Sequence, residues 1–365
     1  MSEIVSLPLA GVRVVEFEGL GPCPMAGRIL ADMGAEVILI ARAGVIGPGE
    51  RLTGVAPLML QAGKQREEID LKSAAGQARA LALVATAEVL IEGFRPGVME
   101  RLGLGPAECA KVNPRLVYGR MTGWGQTGPL ANTAGHELNY LALTGLLPLI
   151  ARDGATPVLP PALMGDATGA LGLAFGILAA LLAVRAGGPG RVVDAAIIDV
   201  VSMLGTLFQW LRASHMVATD LSHPFHTSPF HDSPFYDVYR CADGFISIAP
   251  LEPQFWQHLL NSLGLTDINP ADQYDKAHWP ALKARLATLF ATRSRAEWST
   301  LLEGADVCFA AVLNLDEAAQ HPHFIARGIY APRPDGSGAP APAPRFLPLV
   351  DSSPLPDPAP RPLSD

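Results

Sequence analysis

Apolar positions fall along this chain in two rhythms. Over the first third, short apolar runs at 12–17, 36–40, 89–91 and 116–118 read as buried strands. Between them, residues 24–33, 74–87 and 97–102 read as helices, with Pro24 near the start of the first and Gly34 at its stop. Strand and helix thus alternate. The pattern predicts an α/β fold, with a Rossmann-like parallel sheet covered by helices on both faces.

Further along, residues 167–184 carry no charge and are long enough to cross a bilayer. Small residues interrupt that run at Gly169, Ala170, Gly172 and Gly176, and Asp166 directly precedes it. The next run, 195–211, is nearly as apolar but contains Asp199. A buried helix pair in a soluble protein is expected, with no membrane partner. After Gly187-Gly188-Pro189-Gly190 the rhythm changes, and residues 219–234, rich in His, Ser, Pro and Asp, read as a linker. A hairpin is predicted from 235–240 and 244–249, turning at Ala242-Asp243-Gly244, with helices following at 254–263, 278–292 and 295–302. These form a second, smaller α+β domain. From Pro332 the chain is so rich in Pro and Ala that it is expected to run extended over a surface.

Composition narrows the function classes. With 365 residues, 49% of them hydrophobic and 17% charged, the chain can bury a sizeable core. A net charge of -8 argues against nucleic acid as the main partner. Cys23, Cys109, Cys241 and Cys308 lie far apart, with neither metal-ligand spacing nor a disulfide framework. They read as reduced thiols, and no metal site is expected. The first residues have no basic segment followed by a long apolar one, so no signal peptide is expected. A cytoplasmic location follows, leaving peroxisome and mitochondrion open.

The richest chemistry lies in Gly135-His136-Glu137-Leu138-Asn139-Tyr140, behind a run studded with Gly123, Gly125 and Gly128. Gly123 and Gly125 would let the backbone approach a ligand closely. His136 falls at the predicted start of a helix, where the positive end of the dipole disfavours imidazolium and leaves a neutral base. Its alternative is a polar cap. Asp166 and Glu252 are the candidate carboxylates, each also readable as an ordinary helix-start residue. Basic candidates for an anionic cofactor are Arg28, Arg42, Lys64, Arg66 and Arg95, the last just past an apolar strand. The turn Gly19-Leu20-Gly21 begins like a dinucleotide fingerprint but lacks its third glycine. Arg42 stands where a NAD site would place an acid, which disfavours NAD and leaves coenzyme A or NADP open.

Several motifs together resemble the family III CoA-transferase superfamily (CaiB/BaiF-like): Leu9-Ala10-Gly11-Val12-Arg13-Val14-Val15-Glu16, Ala31-Asp32-Met33-Gly34-Ala35-Glu36-Val37, Phe94-Arg95-Pro96-Gly97-Val98 and Asp194-Ala195-Ala196. Within it, the His136 motif, Met164-Gly165-Asp166 and Leu251-Glu252-Pro253-Gln254-Phe255 resemble the α-methylacyl-CoA racemases. The resemblance runs from about residue 8 to Phe346. It implies a large domain of 1–188 with 329–365, linker helices at 189–225 and a small domain at 226–328. It also implies an interlocked homodimer with shared active sites. His136 would be one base, oriented by Glu252 of the other subunit, and Asp166 the opposite base. Arg42, Arg95 and Lys64 fall at cofactor-binding positions. Coenzyme A would enter as part of the substrate, with no permanently bound cofactor.

The implied activity is isomerisation of 2-methylacyl-CoA thioesters, with one base on each face of the α-carbon. The alternative is a CoA-transferase using Asp166 as nucleophile, for which His136 has no evident use. A third reading is an acyl-CoA binding protein without turnover. Three departures stand out. Glu137-Leu138 replaces the usual Asp-Ile, a conservative change, and Ala167-Thr168-Gly169-Ala170 is less glycine-rich than expected. The segment 63–68 carries two acids where an apolar continuation is usual.

Overall fold

The apolar runs at 12–17 and 36–40 become neighbours because neither offers a polar face to water, and each needs cover on both sides. In the computed structural model, which describes residues 7–147, 156–158, 162–214, 233–333, 336 and 338–346, they are β1 (Arg13–Phe17) and β2 (Glu36–Ala41). These two pair in parallel, with Val14 opposite Val37 and Phe17 opposite Ile40. With β3 (Lys64–Glu68), β4 (Val89–Glu92), β5 (Val117–Thr122) and β6 (Arg191–Ala196) they make a six-stranded sheet of order β3-β2-β1-β4-β5-β6. Doubly wound folds share this order, and their ligands bind at the carboxyl ends of the strands beside the switch point, here between β1 and β4. β3 was not expected. Its sequence, Lys-Gln-Arg-Glu-Glu, has no apolar pattern, yet charges suit an edge strand and discourage pairing with another chain.

Helices α1 (Pro22–Asp32), α2 (Pro48–Thr53), α3 (Leu58–Gln61), α4 (Ala74–Val84), α5 (Val98–Arg101) and α6 (Pro106–Val112) connect these strands. Pro22 opens α1, and the Ser73 hydroxyl caps α4 by accepting from the Gly76 N–H. The chain then runs through α7 (Glu137–Thr144) to α8 (Thr168–Arg185) and β6. Leu173 and Ile177 of α8 press on Gly119 of β5, and Val193 of β6 presses on Gly176. A side chain at Gly176 would meet Val193 at 2.7 Å, so the small residues in this apolar run serve close helix–sheet packing. Residues Leu163–Arg185 are long and apolar enough to cross a membrane by length and composition. Only one face of α8 is buried, whereas burial all round was expected. Leu171, Phe175 and Leu182 on the other face are 56–73% exposed.

The chain divides into two compact units. One comprises Met1–Thr122, Ala170–Ala195 and Ala331–Asp365; the other comprises Gly123–Gly169 and Ala196–Tyr330. Residues 123–169, expected in the large domain, thus group with the second unit. The expected linker supplies β6, α9 (Ile197–Leu204) and α10 (Thr206–Ala213), and its residues from 215 lie outside those described. The second unit holds an antiparallel sheet of β7 (Asp237–Cys241), β8 (Gly244–Ile248) and β9 (Phe309–Ala311). Around it lie α11 (Pro253–Leu263), α12 (Trp279–Phe290), α13 (Arg295–Leu302), α14 (Leu315–Gln320) and α15 (Pro322–Ala326). Its core is aromatic: the Phe235 ring lies 5.9 Å from Trp256 and 5.7 Å from Trp279.

Candidate active site

Past β5 the chain turns through Gly123-Trp124-Gly125. The Tyr140 ring from α7 lies on Gly123, where a Cβ would fall 1.9 Å from the ring. Tyr140 also packs edge-on against Trp124, at 4.7 Å between centroids, and its hydroxyl donates to the Gly135 carbonyl. The glycine at 123 therefore makes room for a tyrosine of its own unit. That physical reason differs from the expected approach to a ligand. Gly125 is buried with φ 91°, a backbone conformation that favours glycine.

His136 occupies the N-cap of α7 and its side chain is exposed. The Asn139 side-chain oxygen accepts from the His136 N–H at 3.1 Å, and the Asn139 N–H donates back to the His136 carbonyl at 2.8 Å. This local pair fixes where the helix starts. The next residue, Glu137, turns its carboxylate onto another segment. It accepts from the backbone N–H groups of Ala162 at 2.5 Å, Gly165 at 2.6 Å and Asp166 at 3.3 Å.

Asp166 sits inside a π-helical turn, Leu163–Ala167, that runs straight into α8. It is not the helix cap: Ala162, with φ 57°, holds that place. Single π turns within helices recur at functional sites. The Asp166 carboxyl is held above its ordinary range, first by burial and second by the Glu137 charge, while His136 pulls it the other way. His136, Glu137 and Asp166 thus form one electrostatically coupled group within the second unit. Sequence reading counted Glu137 only as a conservative replacement.

Glu252 is the N-cap of α11, exposed, with Pro253 at the first helical position. Its neighbours are Tyr274 and Cys308, whose ionisation its charge opposes. Among the described residues, no hydrogen bond or ion pair joins Glu252 to His136.

In the first unit a cavity of about 700 Å³ opens at the carboxyl ends of β1 and β2, beside the switch point. Arg42, Arg51 and Lys72 line it with Phe94, Ile40 and Leu71. Arg95 follows Phe94 and is exposed, outside that lining. Arg51 and Lys72 were not singled out from sequence, although Lys72 closes an Asp-Leu-Lys run beside one of the named candidates. Arg28 is buried and paired with Asp32 at 3.0 Å, and Arg66 pairs with Glu68 along the edge strand.

Lys64 departs most from its expected role. Its ammonium, 1% exposed, donates to both Glu16 carboxylate oxygens at 2.8 and 2.7 Å and to the Pro24 carbonyl at 2.8 Å. All three donors are committed inside the unit, so in this conformation none reaches the cavity. Burial pushes the Glu16 carboxyl up to about 7 and the Lys64 ammonium down, each opposed by its partner. Among the described residues, no group of three His, Cys, Asp or Glu could hold a metal ion, and the four cysteines form no disulfide.

The parallel six-stranded sheet and its switch-point cavity define a mixed α/β protein. Its fold matches that of a CAIB/BAIF family protein from Brucella suis, with a TM-score of 0.79 at 25% identity over 93% of each chain. The sequence fits the model of CoA-transferase family III over residues 9–365, and the chain belongs to that family. It is 36% identical over 355 residues to the alpha-methylacyl-CoA racemase of Mus musculus, covering 95% of this chain and 87% of that one. To the racemase of Homo sapiens it is 37% identical over 352 residues, covering 93% and 87%.

Proposed function

We propose that this protein interconverts the two enantiomers of 2-methylacyl-CoA thioesters. The observation that carries the reading is that His136 and Asp166 meet around Glu137, giving one base for each face of one carbon. A thioester acidifies its α-carbon, and racemisation needs one base to take a proton while the other gives one. Asp166, held above its ordinary range by burial and by the Glu137 charge, is biased toward its protonated form. The start of α7, where the helix dipole is positive, would stabilise the enolate oxygen that develops.

Coenzyme A is the handle of the substrate, and no resident cofactor takes part. The cavity suits its nucleotide end: Arg42, Arg51 and Lys72 offer cations for phosphate, and Phe94, Leu71 and Ile40 offer apolar walls. Arg95, at its edge, assists. Glu252 acts on His136 of a second copy, which fits the lack of any bond between the two in one chain. Exposed apolar faces support such a homodimer: Leu171, Phe175 and Leu182 on α8, and Leu204, Leu207 and Trp210 along α9 and α10. Light scattering that returned only monomer at micromolar concentration would remove the dimer from this reading.

The deciding experiment incubates one enantiomer of a 2-methylacyl-CoA in deuterated water without a free acid acceptor. Deuterium at the α-carbon with loss of optical purity, followed by NMR, is the expected result. No exchange with several acyl chains, but CoA transfer once a free carboxylic acid is added, would establish the transferase that uses Asp166 as nucleophile.

A further inference from the structure

We propose that Glu137 is a positioning residue, whose carboxylate fixes the π turn carrying Asp166 against the helix start carrying His136. The inference rests on the two-base reading of His136 and Asp166.

Glu137 is adjacent in sequence to one base, and its carboxylate is bonded to the backbone of the other. Three N–H groups, of Ala162, Gly165 and Asp166, converge on it within 3.3 Å. The first backbone N–H groups of a helix have no partner within it, and this carboxylate takes up three donors at the start of the π turn. Contact is close as well as polar: a Cβ on Gly165 would lie 2.5 Å from Glu137 Cγ. A carboxylate accepting several N–H bonds in partly buried surroundings is a strong anchor.

The same group acts at a distance on the proton inventory. The charged groups on the elements packed here are Glu137, His136 at the start of α7, Asp199 in the first turn of α9, and Asp166 itself. Of these, Glu137 raises the Asp166 carboxyl and His136 lowers it. Glu137 thus sets where Asp166 stands and biases it toward the protonated form that must return a proton to the enolate.

The test compares Glu137→Gln, Glu137→Ala and Asp166→Asn in the full-length protein, using α-proton exchange of a 2-methylacyl-CoA in deuterated water. Glu137→Gln keeps the size of the side chain but removes the charge and presents an amide N–H₂ to a backbone donor. Glu137→Ala removes the anchor. Both are expected to lower kcat, by about 10-fold for Gln and up to about 100-fold for Ala, with KM changed by less than about 3-fold. Loss of the Glu137 charge also moves the kcat–pH profile of the Gln variant to lower pH, a change that a merely structural side chain would not cause. If Glu137→Ala does not fold, Glu137→Gln decides alone. Wild-type kcat and an unmoved profile in Glu137→Gln, alongside an inactive Asp166→Asn, would overturn the inference and leave the two-base reading standing. Full exchange by Asp166→Asn would overturn both.

Discussion

The Glu137 carboxylate lies 2.6 Å from the backbone nitrogen of Gly165, and Gly165 is buried against the Glu137 side chain. That contact joins two stretches nearly thirty residues apart, each holding one of the candidate bases. Gly165→Ala inserts a methyl group where no space exists. It is expected to lower stability by about 1–3 kcal/mol, read as a fall in the thermal midpoint of the folded enzyme. An unchanged midpoint would mean that the turn is not packed on Glu137 in solution.

Replacing either base separates chemistry from binding. His136→Ala and Asp166→Ala are each expected to slow racemisation by at least about 100-fold, the usual scale of a lost proton-transfer group. Titration calorimetry with an unreactive CoA ester is expected to give near wild-type affinity for both. Weakened binding with unchanged turnover would contradict the roles given to them.

Cavity cations have the opposite signature. Arg42→Ala and Lys72→Ala are expected to raise KM for a CoA ester by about 10-fold, since each removes a charge-assisted contact to phosphate. A thioester of pantetheine, which lacks the nucleotide, serves as control and is expected to be indifferent to both changes. Equal effects on the two substrates would move the nucleotide elsewhere.

Lys64 yields a prediction about pH. Glu16 is raised from 4.5 to about 7 in the fold, so the folded protein binds an extra proton between those values. The stability this contributes is present in full below 4.5 and is lost as pH rises through 7. Lys64→Met leaves Glu16 without its cation and is expected to cost about 3 kcal/mol near pH 8, where the wild-type Glu16 is ionised and the variant must either keep that charge unpaired or protonate it. Near pH 5 the penalty shrinks, because a protonated Glu16 does not need the ammonium. Denaturant titrations at the two pH values would measure the difference, and the double variant Glu16→Gln/Lys64→Met is expected to recover most of it. A penalty independent of pH would mean that the pair does not titrate in this range.

Much of the architecture was legible because local pattern and tertiary fate agree. The strand pair β7 and β8, with its turn at Ala242-Asp243, and the three helices after it follow from alternation and helix-start residues within a few positions. β3 was hidden because an edge strand of five polar residues carries no hydrophobic signal. β9, three residues long, was too short to show one. At the candidate site, His136 and Asp166 could be singled out from their motifs, but the contacts of Glu137 could not. Its role depends on a turn far along the chain meeting a carboxylate that looks like any acid at a helix start. The same blindness to distant contacts hid the Tyr140 ring over Gly123 and the burial of Lys64 on Glu16.

The cavity proposed for the thioester's nucleotide is lined wholly by residues of the first unit, while His136, Glu137 and Asp166 all belong to the second. On the proposed assignment, recognition and reaction are written in separate parts of the chain and can drift apart under mutation. A shift from proton transfer to acyl transfer would then fall on side chains around α7 and the π turn, and the proposed coenzyme A cavity would be left untouched. One scaffold can in that way host chemistries as different as moving a proton and moving a carrier.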